Sequence, residues 1–530
     1  MICKIKSIYT IREIFSFIKT KRKLNIIKYS KKMAKSLDIT KKDFKSYELL
    51  QEFNQTYGTK IEDIDTDEID LSEKKIGNEG LKAICNIYFK YLTSLNLCDN
   101  DISNITALSK ANFKKLKELD ISENKIKDIK ALEKSNFEDL EELYLDANQI
   151  EKINSLANAN FKKLKILILR ENRITDINAL EKANFQDLEE LDLKTNRIKN
   201  TDVLKKFDFK KLKELALGLT NINILKEVNF PELISLSISS SGITDINTLL
   251  EVNFKKLEIL YLSGNEISNI NVLQKVNFNK LKELYLGSID TSDFEFLEKV
   301  NFRNLTILYL GNNSISDIDF LENVNFNELE ELDLNHNDIS DISVLKKVNF
   351  KKLEKLNLEN NEISDISVLE KVNFKKLKEL QLNVNHIKNI NILAKVDFKE
   401  LELLELYSNE LKDISILSKV NFKKLSNLNL CVNEITDINA LQNPNFEELK
   451  FLDLSNNKIT DIKVLEKVKF IKIIELNLSF NSIKDISVFD KTNFKDLNNL
   501  NLSHNTIYQK DYSSTISKLK TDIEGFDIYD

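Results

Sequence analysis

From residue 89 onward the chain repeats one hydrophobic and polar pattern. Phe recurs at 89, 113, 137, 161, 185, 209, 230, 254, 278, 302, 326, 350, 374, 398, 422, 446, 470 and 494, in steps of 24 residues except for the step of 21 from Phe209 to Phe230. A representative period reads Phe350-Lys-Lys-Leu353-Glu-Lys-Leu356-Asn-Leu358-Glu-Asn-Asn361-Glu-Ile363-Ser-Asp365-Ile366-Ser-Val-Leu369. Leu356-Asn357-Leu358 alternates apolar and polar with period two, which predicts a short strand with one buried face. Asn361 ends the strand. An inward amide there can bond backbone groups that the turn would otherwise orphan, and stacking turns this into a ladder. Asp365 is placed to cap a short helical turn carrying Ile366 and Leu369, and the Phe closes the coil. An earlier partial period begins near Ile69-Asp-Leu71 and continues to Ile76 and Leu81.

One such coil cannot fold alone, because burying its few apolar side chains does not offset the backbone entropy of its residues. Stacking on neighbours must supply the rest. The expected fold is therefore α/β: a curved solenoid of about 19 units, with a parallel sheet along the inner arc and short helical turns on the convex side.

The pattern L-x-x-L-x-L-x-x-N-x-I-x-D-I-x-x-L resembles the leucine-rich repeat family over about residues 65–507. Its Ile-x-Asp-Ile phase is similar to the subclass of the protein-phosphatase-1 regulator and the bacterial internalins. The resemblance implies a horseshoe that binds proteins through its concave strands, without catalysis, and a phosphatase-1 regulatory subunit as an alternative role. The tail Ile507-Tyr508-Gln-Lys-Asp-Tyr512…Ile516…Leu519 is similar to the C-terminal cap of that subclass. The expected organisation is a basic helical segment over 1–60, the solenoid over 61–507 and a cap over 508–530.

Departures from the repeat locate candidate functional residues. Asn holds the ladder position in 15 of 18 periods; Thr220, Ser241 and Ile289 replace it, all within residues 209–302, which also contain the 21-residue period. The outward strand position carries three consecutive tyrosines, Tyr261, Tyr285 and Tyr309, and two residues earlier on the same face stand Ile259 and Ile307. These five residues are the candidate partner-binding patch, large enough to mark an interface and rich in a side chain that anchors interfaces. Cross-strand aromatics can also serve the sheet alone. Glu118, Glu142, Glu190 and Glu214 form a second outward column, with Asp120 and Asp192 beside it and Arg170 and Lys194 interrupting it. Such a stripe is either an ordinary solvated face or a dock for a basic surface, and its sign argues against nucleic acid.

Composition narrows the chemistry. The 530 residues include only 9 Gly and 2 Pro and no Trp, too few glycines for the loops of most catalytic architectures. His336, His386 and His504 fall in separate repeats; Cys3, Cys85, Cys98 and Cys431 form no C-x-x-C pair. Neither a catalytic residue nor a metal or cofactor site is assigned. No run approaches the length of a membrane span, and the apolar start is interrupted by Arg12 and Glu13, so no clean signal peptide is read. The expectation is a monomeric protein of the cytoplasm, with the nucleus as an alternative, that binds a protein partner and no nucleic acid.

The net charge of −6 is unevenly spread. Residues 1–40 hold eleven Lys and Arg against Glu13 and Asp38, a local charge of +9, which leaves −15 on the remainder. Ile8, Ile11, Phe15 and Ile18 have helical spacing, and Leu24 and Ile27 begin a second apolar face. Glu13-Ile14-Phe15-Ser16-Phe17-Ile18 followed by Leu24-Asn-Ile26-Ile27 resembles an F-box without its usual Pro and Trp. That resemblance implies a substrate-recognition adaptor of a ubiquitin ligase. A basic cap over the first repeat and a membrane-surface or nuclear-targeting helix are the other readings.

Overall fold

A computed structural model describes residues 40–219, 221–492 and 494–529. Residues 1–39 of the segment 1–60, with the F-box-like stretch, and the ladder exception Thr220 lie outside the described residues. The chain divides into two compact units, one made of residues up to 243 with 251–257, the other of 244–250 with 258 onward.

Among its described residues the first unit begins with helix α1 (Lys41–Tyr57), which starts at a reciprocal cap. Thr40 Oγ1 accepts from the Asp43 amide while the Thr40 amide donates to Asp43 Oδ2 at 2.6 Å. Gly58, at φ 65°, ends it. Leu50 and Phe53 are buried, and Ser46 Oγ accepts from the Tyr88 amide at 3.0 Å. Helix α2 (Gly77–Cys85) follows strand β1 (Glu68–Asp70). Then come β2 (Ser94–Asn96), β3 (Glu118–Asp120), β4 (Glu142–Tyr144), β5 (Ile166–Ile168), β6 (Glu190–Asp192), β7 (Glu214–Ala216) and β8 (Ser235–Ser237), each pairing with the next in parallel. A single α-helical turn, α3 (Ala179–Lys182), stands among 3-10 turns.

The second unit repeats the plan with β9 (Ile259–Tyr261), β10 (Glu283–Tyr285), β11 (Ile307–Tyr309), β12 (Glu331–Asp333), β13 (Lys355–Asn357) and further strands to β19 (Asn499–Asn501), again parallel and in chain order. The register equals the sequence period, so Leu260, Leu284 and Leu308 stack as one fully buried column. On the opposite side short 3-10 turns replace crossover helices. Asp365 Oδ1 accepts from the Ser367 amide at 2.8 Å and leads into the turn Ser367–Glu370.

The Asn ladder forms as its sequence position predicts. Asn361 Nδ2 donates to Leu334 O at 3.0 Å one coil back, and to Leu358 O and Glu359 O in its own coil; its Oδ1 accepts from the Ile339 amide at 3.0 Å. Asn361 thus satisfies buried groups in two coils. The residue before a ladder Asn takes the left-handed conformation: His336, Asn360, Val384 and Val432 have φ between 50° and 52°. Only Gly264 meets this demand with a glycine in the second unit. Where the ladder is interrupted, substitutes appear. Ser241 Oγ donates to Ser239 O and Leu217 O, and the Ile289 amide donates to Asn313 Oδ1 at 3.0 Å while its side chain is buried.

The second unit ends in a 3-10 turn (Gln509–Tyr512), helix α4 (Ser513–Asp522) and β20 (Gly525–Asp527), which pairs with β19. Ile516, Leu519, Ile523 and Ile528 are buried there. Among the described residues no helix is long and apolar enough to cross a membrane.

Candidate protein-binding face

Strands β9 to β12 bring two outward columns into register. One runs Ile259, Glu283, Ile307, Glu331; the other runs Tyr261, Tyr285, Tyr309, Asp333. The three tyrosines are brought together: the Tyr261 and Tyr285 rings stack at 4.4 Å and 17°, and Tyr285 and Tyr309 follow at 6.2 Å and 36°. Ile259 and Ile307 are not adjacent, because Glu283 stands between them. All five candidates are half-buried, so the rings partly cover one another and still present a face to solvent.

Polar groups fix the stack. Tyr285 donates its hydroxyl to Glu283 Oε2 at 2.9 Å, and burial together with that carboxylate holds the phenol above its ordinary value. Asn312 Nδ2 donates to the Tyr309 hydroxyl at 3.4 Å. Gly287 and Gly311 make the room. A methyl on Gly287 would collide with the Tyr309 ring and lie 2.8 Å from Gly311 O, and one on Gly311 would collide with Asn335 Oδ1 and lie 2.9 Å from the Tyr309 hydroxyl. Asn335 Oδ1 is buried and accepts no hydrogen bond from the described residues.

Asp333 closes the tyrosine column. It is 9% exposed; its Oδ1 accepts from the Asn335 amide at 2.8 Å and its Oδ2 from Asn357 Nδ2 at 3.0 Å. Burial outweighs these bonds and pushes its carboxyl up to about 6. Sequence reasoning on the tyrosines passed over Gly287, Gly311 and Asp333, although two glycines placed alike in a chain with only nine were a usable signal.

The outward face of β9 to β19 carries eight carboxylates. Glu283, Glu331, Glu379 and Glu475 occupy the first column, Asp333, Glu405 and Asp453 the second, and Glu359 the position two residues beyond. Lys355 is the one cation in these three columns among the described residues. In the first unit, Ile166 interrupts the Glu118–Glu142–Glu190–Glu214 column. Tyr144 donates to Glu142 Oε2 at 2.8 Å, Arg170 turns to Glu171 at 2.6 Å, and Lys194 Nζ lies 3.4 Å from Ser237 Oγ. Burial raises the carboxyls of Glu190 and Asp192 above their ordinary range, with Glu214 adding to Glu190.

The remaining chemistry is dispersed. His386 lies between Glu362, at 3.0 Å, and Glu410, at 3.1 Å. Cys85, Cys98 and Cys431 are free thiols, and burial pushes Cys85 up to about 12. Among the described residues no three His, Cys, Asp or Glu side chains are grouped to hold a metal ion.

Family models described as leucine rich repeats match residues 90–150, 138–198, 303–347, 327–371 and 448–466, the same coils whose strands and ladder are described above. The chain is a leucine-rich repeat protein. Solved structures similar to it include an internalin from Listeria monocytogenes, 29% identical over 56% of this chain and 82% of that one, at a TM-score of 0.48. A leucine-rich repeat protein of Leptospira interrogans is 21% identical over 82% of this chain and 95% of that one, at 0.46. The Arabidopsis receptor kinase HAESA, solved with a peptide hormone and a co-receptor, is 18% identical over 91% and 97%, at 0.43. No curated protein sequence matches this leucine-rich repeat chain.

Proposed function

We propose that the protein is a non-catalytic scaffold that binds a partner protein on the strand face of its second unit. Tyr261, Tyr285 and Tyr309 are its anchor, flanked by Ile259 and Ile307. The observation that carries this reading is the half-exposed ring stack for which Gly287 and Gly311 leave space. Rigid aromatic rings supply large contact area at little entropic cost on binding. A sheet that needed only cross-strand packing would not require two glycines to admit the third ring. Action in the cytoplasm or nucleus belongs to the same proposal.

The test is affinity capture with the full chain, identification of the captured protein by mass spectrometry, and titration of the purified pair. The Y261A/Y285A/Y309A variant should lose affinity by about ten-fold or more while its circular dichroism stays unchanged. Unchanged affinity removes the face from the function. Capture of phosphatase 1 or of a ubiquitin-ligase linker would give the scaffold its finer role.

A further inference from the structure

Carboxylates on the edges of the second unit are matched by lysines one coil away. Glu258 pairs with Lys282 at 2.7 Å, Glu354 with Lys378 at 2.6 Å, Glu400 with Lys424 at 2.5 Å and Glu448 with Lys472 at 2.7 Å. On the strand face this matching thins. Lys355 stands between Glu331 and Glu379 and pairs with Glu379 at 3.1 Å, and further face carboxylates turn to neutral groups: Glu283 to Tyr285, Glu359 to Tyr407 at 3.0 Å, Asp453 to Asn477 at 3.1 Å. Leaving like charges half-buried and unneutralised costs free energy, as the raised carboxyls of Asp333 and Glu405 show. The same chain sets lysines opposite glutamates at these coil edges and only Lys355 on the face, so the face is set for cations brought from outside.

We propose that the partner segment taken by this face is basic: an extended stretch of a second protein carrying arginines. One guanidinium lies against the exposed flank of the Tyr261–Tyr285 stack, its apolar stem covering the rings while Glu283 beside them takes its N–H groups. Glu331, two strands from Glu283 across Ile307, takes the N–H groups of the next arginine. This rests on the proposed scaffold function and adds the chemistry of its partner. The sign of the face excludes nucleic acid, and an apolar peptide would leave the carboxylates buried without compensation.

The test titrates the full chain, by fluorescence anisotropy, with a labelled extended peptide of alternating Arg and Ser and with its neutral citrulline counterpart. The arginine peptide should bind about ten-fold more tightly, the size of one charge-assisted contact with these carboxylates, and lose affinity with added salt. Y261A/Y285A and E283Q/E331Q should each remove that preference, with circular dichroism unchanged. Equal binding of the two peptides, or a preference that survives both variants, overturns the proposal. A third variant of the full chain changes Lys19, Lys21, Arg22 and Lys23 to Gln. If it raises the arginine peptide's affinity about ten-fold, the chain's own basic segment occupies the face and the proposal of a second protein falls. Loss of partner capture in Y261A/Y285A/Y309A without any arginine preference would sink the basic partner and leave the tyrosine face standing.

Discussion

The Tyr309 ring lies where a side chain on Gly287 would stand. One coil makes room for the ring of the next, so the glycine and the tyrosine act as a pair. Gly287→Ala should cost about 1–3 kcal/mol, the usual penalty of overpacking, and should move the Tyr309 ring out of the stack. In a Y309A background the same change should lose more than half its cost. A double-mutant cycle in urea melts followed by tyrosine fluorescence measures the coupling; equal costs in both backgrounds would mean the glycine serves something else.

Asp333 gives the second unit a pH response. Its folded value of about 6 lies above the ordinary 3.8, so the folded chain holds this proton more tightly than the unfolded one. The group's contribution to stability is therefore complete below pH 3.8 and is lost as pH rises to about 6, a swing of up to about 3 kcal/mol. The stability difference between wild type and D333N should change by this amount between pH 4 and 7.5, with wild type losing ground as pH rises. A difference flat in pH would show that the carboxyl titrates normally.

Asn361 should be the least replaceable polar side chain of its coil. N361A leaves the Ile339 amide without a partner inside the protein and takes one of two donors from the Leu334 carbonyl, which keeps Asn337 Nδ2, at about 1–3 kcal/mol for the orphaned amide. Because each coil rests on its neighbours, faster hydrogen exchange should centre on Ile339 and fade within a few coils. Acceleration spread evenly over the unit would contradict the neighbour-only picture.

Val432 is a β-branched, 46% exposed residue at φ 51°. The left-handed conformation costs an ordinary residue roughly 1–2 kcal/mol. V432N, which tolerates that backbone better, should raise the local opening free energy seen by hydrogen exchange by about 1 kcal/mol. A fall would mean that the valine packs more than its exposure suggests.

Much of this architecture is legible in the sequence because the same side chains recur at the same offset. Leu356-Asn357-Leu358 states its own strand and face, and Asn361 states its inward bond. The left-handed residue beside it is not legible. Its occupants range from the imidazole of His336 and the amide of Asn360 to the apolar Val384 and Val432; the geometry comes from the backbone that the ladder imposes, not from the residue. The tyrosine column could be read from the period, but the burial of Asp333 could not. That burial depends on Asn335 and Asn357 leaning over it from two positions that read as ordinary polar filler. The division near residues 244–257 has no counterpart in the hydrophobic pattern either.

Because strand pairing in the second unit repeats at the sequence period, the seam between any two coils is interchangeable in kind: Leu332 meets Leu356 as Leu356 meets Leu380. Cutting out one whole period would rejoin leucine to leucine and asparagine to asparagine, whereas excising any other length would throw every downstream contact out of step. The molecule can therefore lengthen or shorten by modules without redesign, and its reach is a heritable variable largely independent of its stability.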